Sequence, residues 1–185
     1  FQLVKDCSNK DSFLYGYIFG FGMWLTGVSW LYVSIHYHGN IGIIGSSLLI
    51  LIFISILSIY SGLLFLLSNL LRSSSPKFLI LLTLPVSWVT IELIRSYLFT
   101  GFPWLISGTM LADTLIDGYT PIIGAQGNTF FIILIAVLMS QLYDSLKQKR
   151  SALFPSILLI AIIVPSTLLK SIEWTSSEDN IQISL

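Results

Sequence analysis

Apolar residues in this chain come in long runs separated by short polar breaks. Five runs stand out, at 13–35, 43–71, 78–99, 128–146 and 153–169. Each is near or above the roughly 17–25 residues that cross a hydrocarbon core about 30 Å thick at about 1.5 Å per helical residue. None has the polar outer face that a helix on a soluble domain presents, so the pattern predicts membrane spans. The first run is longer than a signal-peptide core and has no small-residue cleavage site before the second, so it is read as a mature span. The expected fold is an all-α polytopic membrane protein with about five transmembrane helices.

The breaks between runs differ in charge. Lys5 and Lys10 precede the first run, Arg72 and Lys77 lie between the second and third, and Lys147, Lys149 and Arg150 lie between the fourth and fifth. The other two connections, "HYHGN" and "GFPWLISGTMLADTLIDGYTP", contain no Lys or Arg. Basic loops stay on the cytoplasmic side, so the N-terminus is expected in the cytoplasm and the C-terminus, after an odd number of spans, on the far side of the membrane. Trp30, Tyr32, Tyr97, Phe102, Trp104 and Trp174 all fall at the outer ends of their runs, where amphipathic rings prefer the headgroup zone.

Small residues suggest where the helices meet. Gly16 and Gly20 form a GxxxG pair and Ser58 with Gly62 a second small-xxx-small pair, which lets backbones approach where lipid offers no hydrophobic drive. Pro85 and Pro165 should open their helices locally and free a carbonyl each. After Lys170 the chain turns polar, and then Ile181, Ile183 and Leu185 alternate with Gln182 and Ser184, the period of a strand. A lone strand is not stable. The expected organisation is a cytoplasmic segment at 1–12, a transmembrane domain at 13–170, and at 171–185 a linker and the first strand of a further domain outside the membrane.

Composition narrows the chemistry. Of 185 residues 55% are hydrophobic and 10% charged, against about 25% charged in an ordinary soluble domain. The nine basic and nine acidic residues cancel, so no basic face suggests nucleic acid. The lone cysteine, Cys7, has no local base, and His36 and His38 are two apart with no carboxylate beside them. No metal-ligand spacing, phosphate-cradling glycine loop or nucleophile–base set is found, and no cofactor is expected.

Two charges interrupt the third run. An ionised side chain in a span costs about 2.5–3.5 kcal/mol on the insertion scale, so Glu92 and Arg95 need a reason to be there. Three residues apart, they share a face and can pair. They lie within two turns of the span's end, where they can serve as a snorkelling anchor pair or contact a lipid headgroup or substrate. The segment that follows, with Gly101, Phe102, Pro103 and Trp104, breaks the helix yet stays aromatic. It is suited to lie along the interface, or to dip into it as a wall of a membrane-facing cavity.

The stretches "GFGMWLTGVSWLYVSIHYHGN", "WVTIELIRSYLFTGFPWLISG", "PIIGAQGNTF" and "IEWTSSEDNIQISL", in this order, resemble the bacterial apolipoprotein N-acyltransferase family. The likeness runs from about Phe13 to the last residue. One departure is in "GAQGNTF", where the family more usually has an aromatic residue near Gln126 and a small one near Asn128. The resemblance implies eight membrane helices with a nitrilase-like α/β domain inserted before the last, the runs here corresponding to the third to the seventh. It also implies transfer of an acyl chain from a phospholipid donor to the N-terminal diacylglyceryl-cysteine of a lipoprotein acceptor, through a thioester on a cysteine supported by a glutamate and a lysine. Those three residues belong to the nitrilase-like domain, downstream of Leu185, so no catalytic residue is expected in this chain and the chain alone is expected to be inactive. Glu92, Arg95, Gly101, Phe102, Pro103 and Trp104 are the candidates for a substrate entrance. Beyond these substrates the expected partners are membrane lipids, with the protein a monomer. A non-catalytic module, such as a transporter half or an assembly scaffold, is the alternative; a transporter should show an internal repeat, and the five unlike runs show none.

Overall fold

A computed structural model describes residues 7–74 and 80–175. Its main helices are α1 (Asn9–Gly27), a short α2 (Leu31–His38), α3 (Ile43–Ser74), α4 (Ile80–Tyr97), α5 (Thr120–Lys147) and α6 (Leu153–Lys170). Single turns of 3-10 helix at Leu98–Thr100, Ser107–Leu111 and Asp117–Tyr119 punctuate the long connection from α4 to α5. Four of the helices are long and apolar enough to cross a membrane, and α1 with α2 makes a fifth if the bent pair is one span. Lys5, Lys77, the expected start of the third run at Phe78 and the expected strand at 181–185 lie outside the described residues.

Three expected boundaries are corrected. The first run is not one straight helix from 13 to 35, because the chain bends by 62° between α1 and α2. The Thr26 hydroxyl donates to the carbonyls of Gly22 and Met23, and the Ser29 hydroxyl to that of Thr26, so side chains take over carbonyls at the end of α1. The helix also starts inside the segment assigned to 1–12: the Asp11 amide donates to the Ser8 hydroxyl at 3.2 Å, an N-cap that places the first turn at Asn9. The fourth helix starts at Thr120 rather than 128, with Pro121 in its first turn, where a missing N–H costs nothing. It then kinks at Gly124, where φ is +67°.

The helices pack in chain order, α1 on α3, α3 on α4, α4 on α5 and α5 on α6. The glycine pairs decide the first contact. A Cβ on Gly16 would lie 2.5 Å from the Ser61 carbonyl oxygen, and one on Gly20 2.4 Å from the Ser61 side chain. Across the interface, a Cβ on Gly62 would meet the Phe13 ring at 2.7 Å. The stripe continues along α1 to Trp24 and Val28, which join Ile50, Ile54 and Leu57 of α3 in one core; Leu134, Leu138 and Ile162 form a second between α5 and α6.

Burial runs opposite to a soluble protein. Ser12, Ser46, Ser58, Ser87 and Ser166 are fully buried, while Ile44 is 78% exposed and Leu168 66%. Small polar residues at helix contacts with large apolar ones outside is the arrangement that lipid favours. The buried hydroxyls of Ser58 and Ser87 donate to the carbonyls one turn back, at 2.6 Å each. Pro165 lies inside α6 and cannot donate to the Ala161 carbonyl; next to it, the Tyr119 hydroxyl donates to the Ile162 carbonyl at 2.8 Å.

Candidate functional site

Glu92 and Arg95 sit in the last two turns of α4, each only 4% exposed. Burial of that degree leaves both charged groups surrounded by protein. Their hydrogen bonds run to third parties. Glu92 Oε1 accepts from Trp88 Nε1 at 3.1 Å and from the Ser107 amide and hydroxyl at 2.9 and 2.8 Å. Its Oε2 accepts from Thr129 Oγ1 at 2.6 Å. Arg95 Nη1 donates to the carbonyls of Phe102 and of Trp104, the latter at 2.6 Å, and the guanidinium lies 5.0 Å from the centroid of the Trp24 ring.

Each charge therefore holds a different part of the connection after α4. Arg95 fixes the 102–104 stretch from its carbonyl side, helped by the Phe102 amide, which donates to the Arg95 carbonyl at 2.9 Å. Glu92 fixes the next turn at Ser107 and ties it to α5 through Thr129. The Gly108 amide closes the circuit by donating to Thr129 Oγ1 at 2.9 Å. This is how the bundle covers the cost of two charges: every bond to them is charge-assisted, and such bonds stabilise by about 1.5–3 kcal/mol each.

The held segment is strained. Phe99, Thr100 and Leu105 all have φ between +52° and +73°, a region that costs a non-glycine residue about 1–2 kcal/mol. Gly101, at φ +83°, could not be replaced without its Cβ falling 2.0 Å from the Ser96 carbonyl oxygen. Such backbone persists only where its surroundings over-determine it, and here the two charges do so.

The candidate residues divide accordingly. Gly101 supplies the turn. Phe102 is half-buried, 6.2 Å from Trp24 and 5.2 Å from Phe53 between ring centroids, and wedges the segment onto α1 and α3. Pro103 is exposed. Trp104 is 48% exposed and packs at 5.5 Å on Trp30, itself 45% exposed, so the rim is aromatic; Phe99 at 87% and Tyr97 at 76% extend it. Behind the rim, a cleft between α1, α3 and α4 reaches Trp24, Tyr60, Trp88, Glu92 and Arg95. Its free interior is about 30 Å³, room for one or two waters and far too little for an acyl chain.

Sequence reasoning missed Trp88, Ser107, Thr129 and Trp24. Trp88 was within reach, four residues before Glu92 on the same face, as was Trp24, four beyond Gly20. Ser107 and Thr129 carried no signal, since only the packing of the connection on α5 brings them to the carboxylate. His36 and His38 lie in a turn of wider helix at Ser34–His38, where His36 Nδ1 is 2.7 Å from the Ile41 carbonyl oxygen and its ring stacks on Tyr32 at 5.2 Å. His36 ties the end of α2 to the loop before α3, and neither histidine is brought to the site. Cys7 lies at the opposite end of the bundle, where its carbonyl accepts from Asn69 Nδ2 at 3.3 Å.

With this geometry in place, residues 1–138 match the family described as the apolipoprotein N-acyltransferase N-terminal domain. The chain belongs to the apolipoprotein N-acyltransferase family. It is similar to the apolipoprotein N-acyltransferases of Methylococcus capsulatus, 30% identical over the whole chain and 36% of the relative, and Coxiella burnetii, 32% identical over 86% of the chain and 33% of the relative. That of Photobacterium profundum is 33% identical over 78% of the chain and 28% of its own length. The chain thus spans about a third of the length of these relatives. The buried Glu92–Arg95 set and the segment it holds lie inside the matched region.

Proposed function

We propose that this chain is the membrane part of an apolipoprotein N-acyltransferase of the bacterial inner membrane, with its N-terminus cytoplasmic. In this reading the aromatic end of the bundle receives a phospholipid acyl donor and a diacylglyceryl lipoprotein acceptor. The glutamate, lysine and cysteine of the thioester chemistry belong to a nitrilase-like domain that follows Leu185. One observation carries the role of the site. Two buried charges are both committed to holding one strained, aromatic segment at the end of the bundle where no connection bears Lys or Arg. Glu92 and Arg95 are thus positioning residues, and Trp104, Trp30 and Phe99 form the surface that meets lipid at the entrance. Large rings at that depth sit among headgroups with an apolar body and, for Trp, a polar edge. Rigid backing keeps them in one arrangement as lipid passes.

The test uses the intact enzyme. Arg95→Leu should lower acyl transfer about tenfold or more at a normal protein level, as should Trp104→Ala, while Arg95→Lys recovers part of the loss. Normal turnover of Arg95→Leu at normal expression would refute the positioning role. Measuring the acyl-enzyme separately from the N-acylated product tells whether donor or acceptor delivery suffers.

A further inference from the structure

The opposite end of the bundle carries a second built feature, remote from the acyl-transfer reading and independent of it. Thr129 at the candidate site and Gln148 at the other end of α5 are separated by about 28 Å of helix at about 1.5 Å per residue. The last two turns of α5 and its C-cap place Gln141, Asp144, Ser145 and Gln148 along an open groove of about 300 Å³, bordered on its other side by Arg150 and Ser151 of the connection and Phe154 and Pro155 of α6. The spacing of 3, 1 and 3 puts the four polar residues on one face. That stripe reaches about 10 Å in from the helix end, within a segment long and apolar enough to span. At the end of a helix longer than a hydrocarbon core such groups lie at headgroup depth, where a polar groove suits a polar occupant.

Charge selects the occupant. Between residues 141 and 155 stand Lys147, Lys149 and Arg150 against a single carboxylate, Asp144, which already has an interaction within the protein. Phe154, which lines the groove, and Leu153 beside it are 63% and 67% exposed, an apolar edge beside the basic cluster. Lys149 is held in the left-handed region at φ +52°, at the position of a helix-ending turn where glycine is usual. The Arg150 amide donates to the Ser145 carbonyl at 2.8 Å and the Lys149 amide to that of Leu146 at 3.2 Å, which fixes the cationic turn over the groove.

We propose that this pocket binds the phosphate headgroup of an anionic glycerophospholipid from the leaflet at the basic end of the bundle. Arg150 and the neighbouring lysines meet the phosphate, Gln141, Ser145 and Gln148 hydrogen-bond the headgroup, and Phe154 with Leu153 meets the chains at the edge. Basic pockets between membrane helices are suited to such headgroups. The size lies at the lower end of the range for small-molecule sites, about 300–1,000 Å³.

The experiment reconstitutes the intact protein in nanodiscs of equal phosphatidylglycerol and phosphatidylcholine. Lipid retained after transfer to mild detergent is then counted by native mass spectrometry. Phosphatidylglycerol should be retained in clear excess, and the excess should shrink as salt rises from 0.1 to 1 M and the screening length falls from about 10 to about 3 Å. Arg150→Gln should cut retention about fivefold, and Arg72→Gln, at the same end but outside the pocket, should not. Lys149→Gly removes a charge while relieving the left-handed strain, so it should bind less lipid in a protein at least as stable, which separates binding from folding. Equal retention of the two lipids, or an unchanged Lys149→Gly, would overturn the proposal. So would displacement of the lipid by 10 mM inorganic phosphate alone, which would mark a site for the free ion.

Discussion

Thr129→Val tests the hydrogen-bond circuit that holds the 102–111 connection. The substitution keeps the branched shape of a fully buried side chain and deletes one hydroxyl. That hydroxyl donates to Glu92 at 2.6 Å and accepts from the Gly108 amide at 2.9 Å, so its loss weakens a carboxylate's hold and orphans a buried N–H. On the scale of charge-assisted bonds and unsatisfied donors the two effects sum to about 3 kcal/mol or more. On the average measured between membrane helices, about 0.6 kcal/mol per bond, they sum to about 1.2 kcal/mol. The charged acceptor and the orphaned amide both favour the larger figure. Hydrogen–deuterium exchange of the peptide covering 101–111 reads it directly, because these amides exchange when the connection lifts. Acceleration of about 150-fold is expected for 3 kcal/mol and about eightfold for 1.2. Thr129→Ser, which keeps the hydroxyl, should stay close to the parent. An acceleration under twofold in Thr129→Val, or equal damage from both variants, would show that the connection is held by something other than this circuit.

Other outcomes follow from the same structure. Gly20→Ala, whose new Cβ would fall 2.4 Å from Ser61, should loosen the α1–α3 contact and lower the unfolding midpoint in mixed micelles. Gly22→Ala, with nothing within 4 Å, should leave the midpoint unchanged or raise it, with a stability gain of up to about 1 kcal/mol from helix propensity. With Cys7 replaced, a single cysteine at 110 should react with an impermeant thiol reagent added outside spheroplasts, and one at 148 only after lysis; the reverse would invert the proposed orientation. The 185-residue chain alone, given phospholipid and a diacylglyceryl peptide, should form neither acyl-enzyme nor product, and activity that survives Cys7→Ala would relocate the chemistry.

The number of apolar helices, the GxxxG contact and the unusual character of Glu92 and Arg95 were all legible in the sequence. They depend on local terms: run length against bilayer thickness, the absence of a Cβ, and the cost of a charge in lipid. Run length also located the start of α6, where Leu153 follows a polar turn. It could not see the 62° bend after Gly27, because hydroxyl bonds to carbonyls compete with the helix without altering its hydropathy. It placed the start of α5 eight residues late, because Gly124 and Gly127 mask helix that is stabilised by packing and not by propensity. Above all, it could show that two buried charges need partners but not which ones. Ser107 and Thr129 are 15 and 37 residues from Glu92 in the chain. What joins them is the seating of Gly108 against α5, where a Cβ would lie 1.8 Å from the Ala125 carbonyl oxygen. The need for partners is a property of the residue and its solvent, whereas their identity is a property of how distant segments pack.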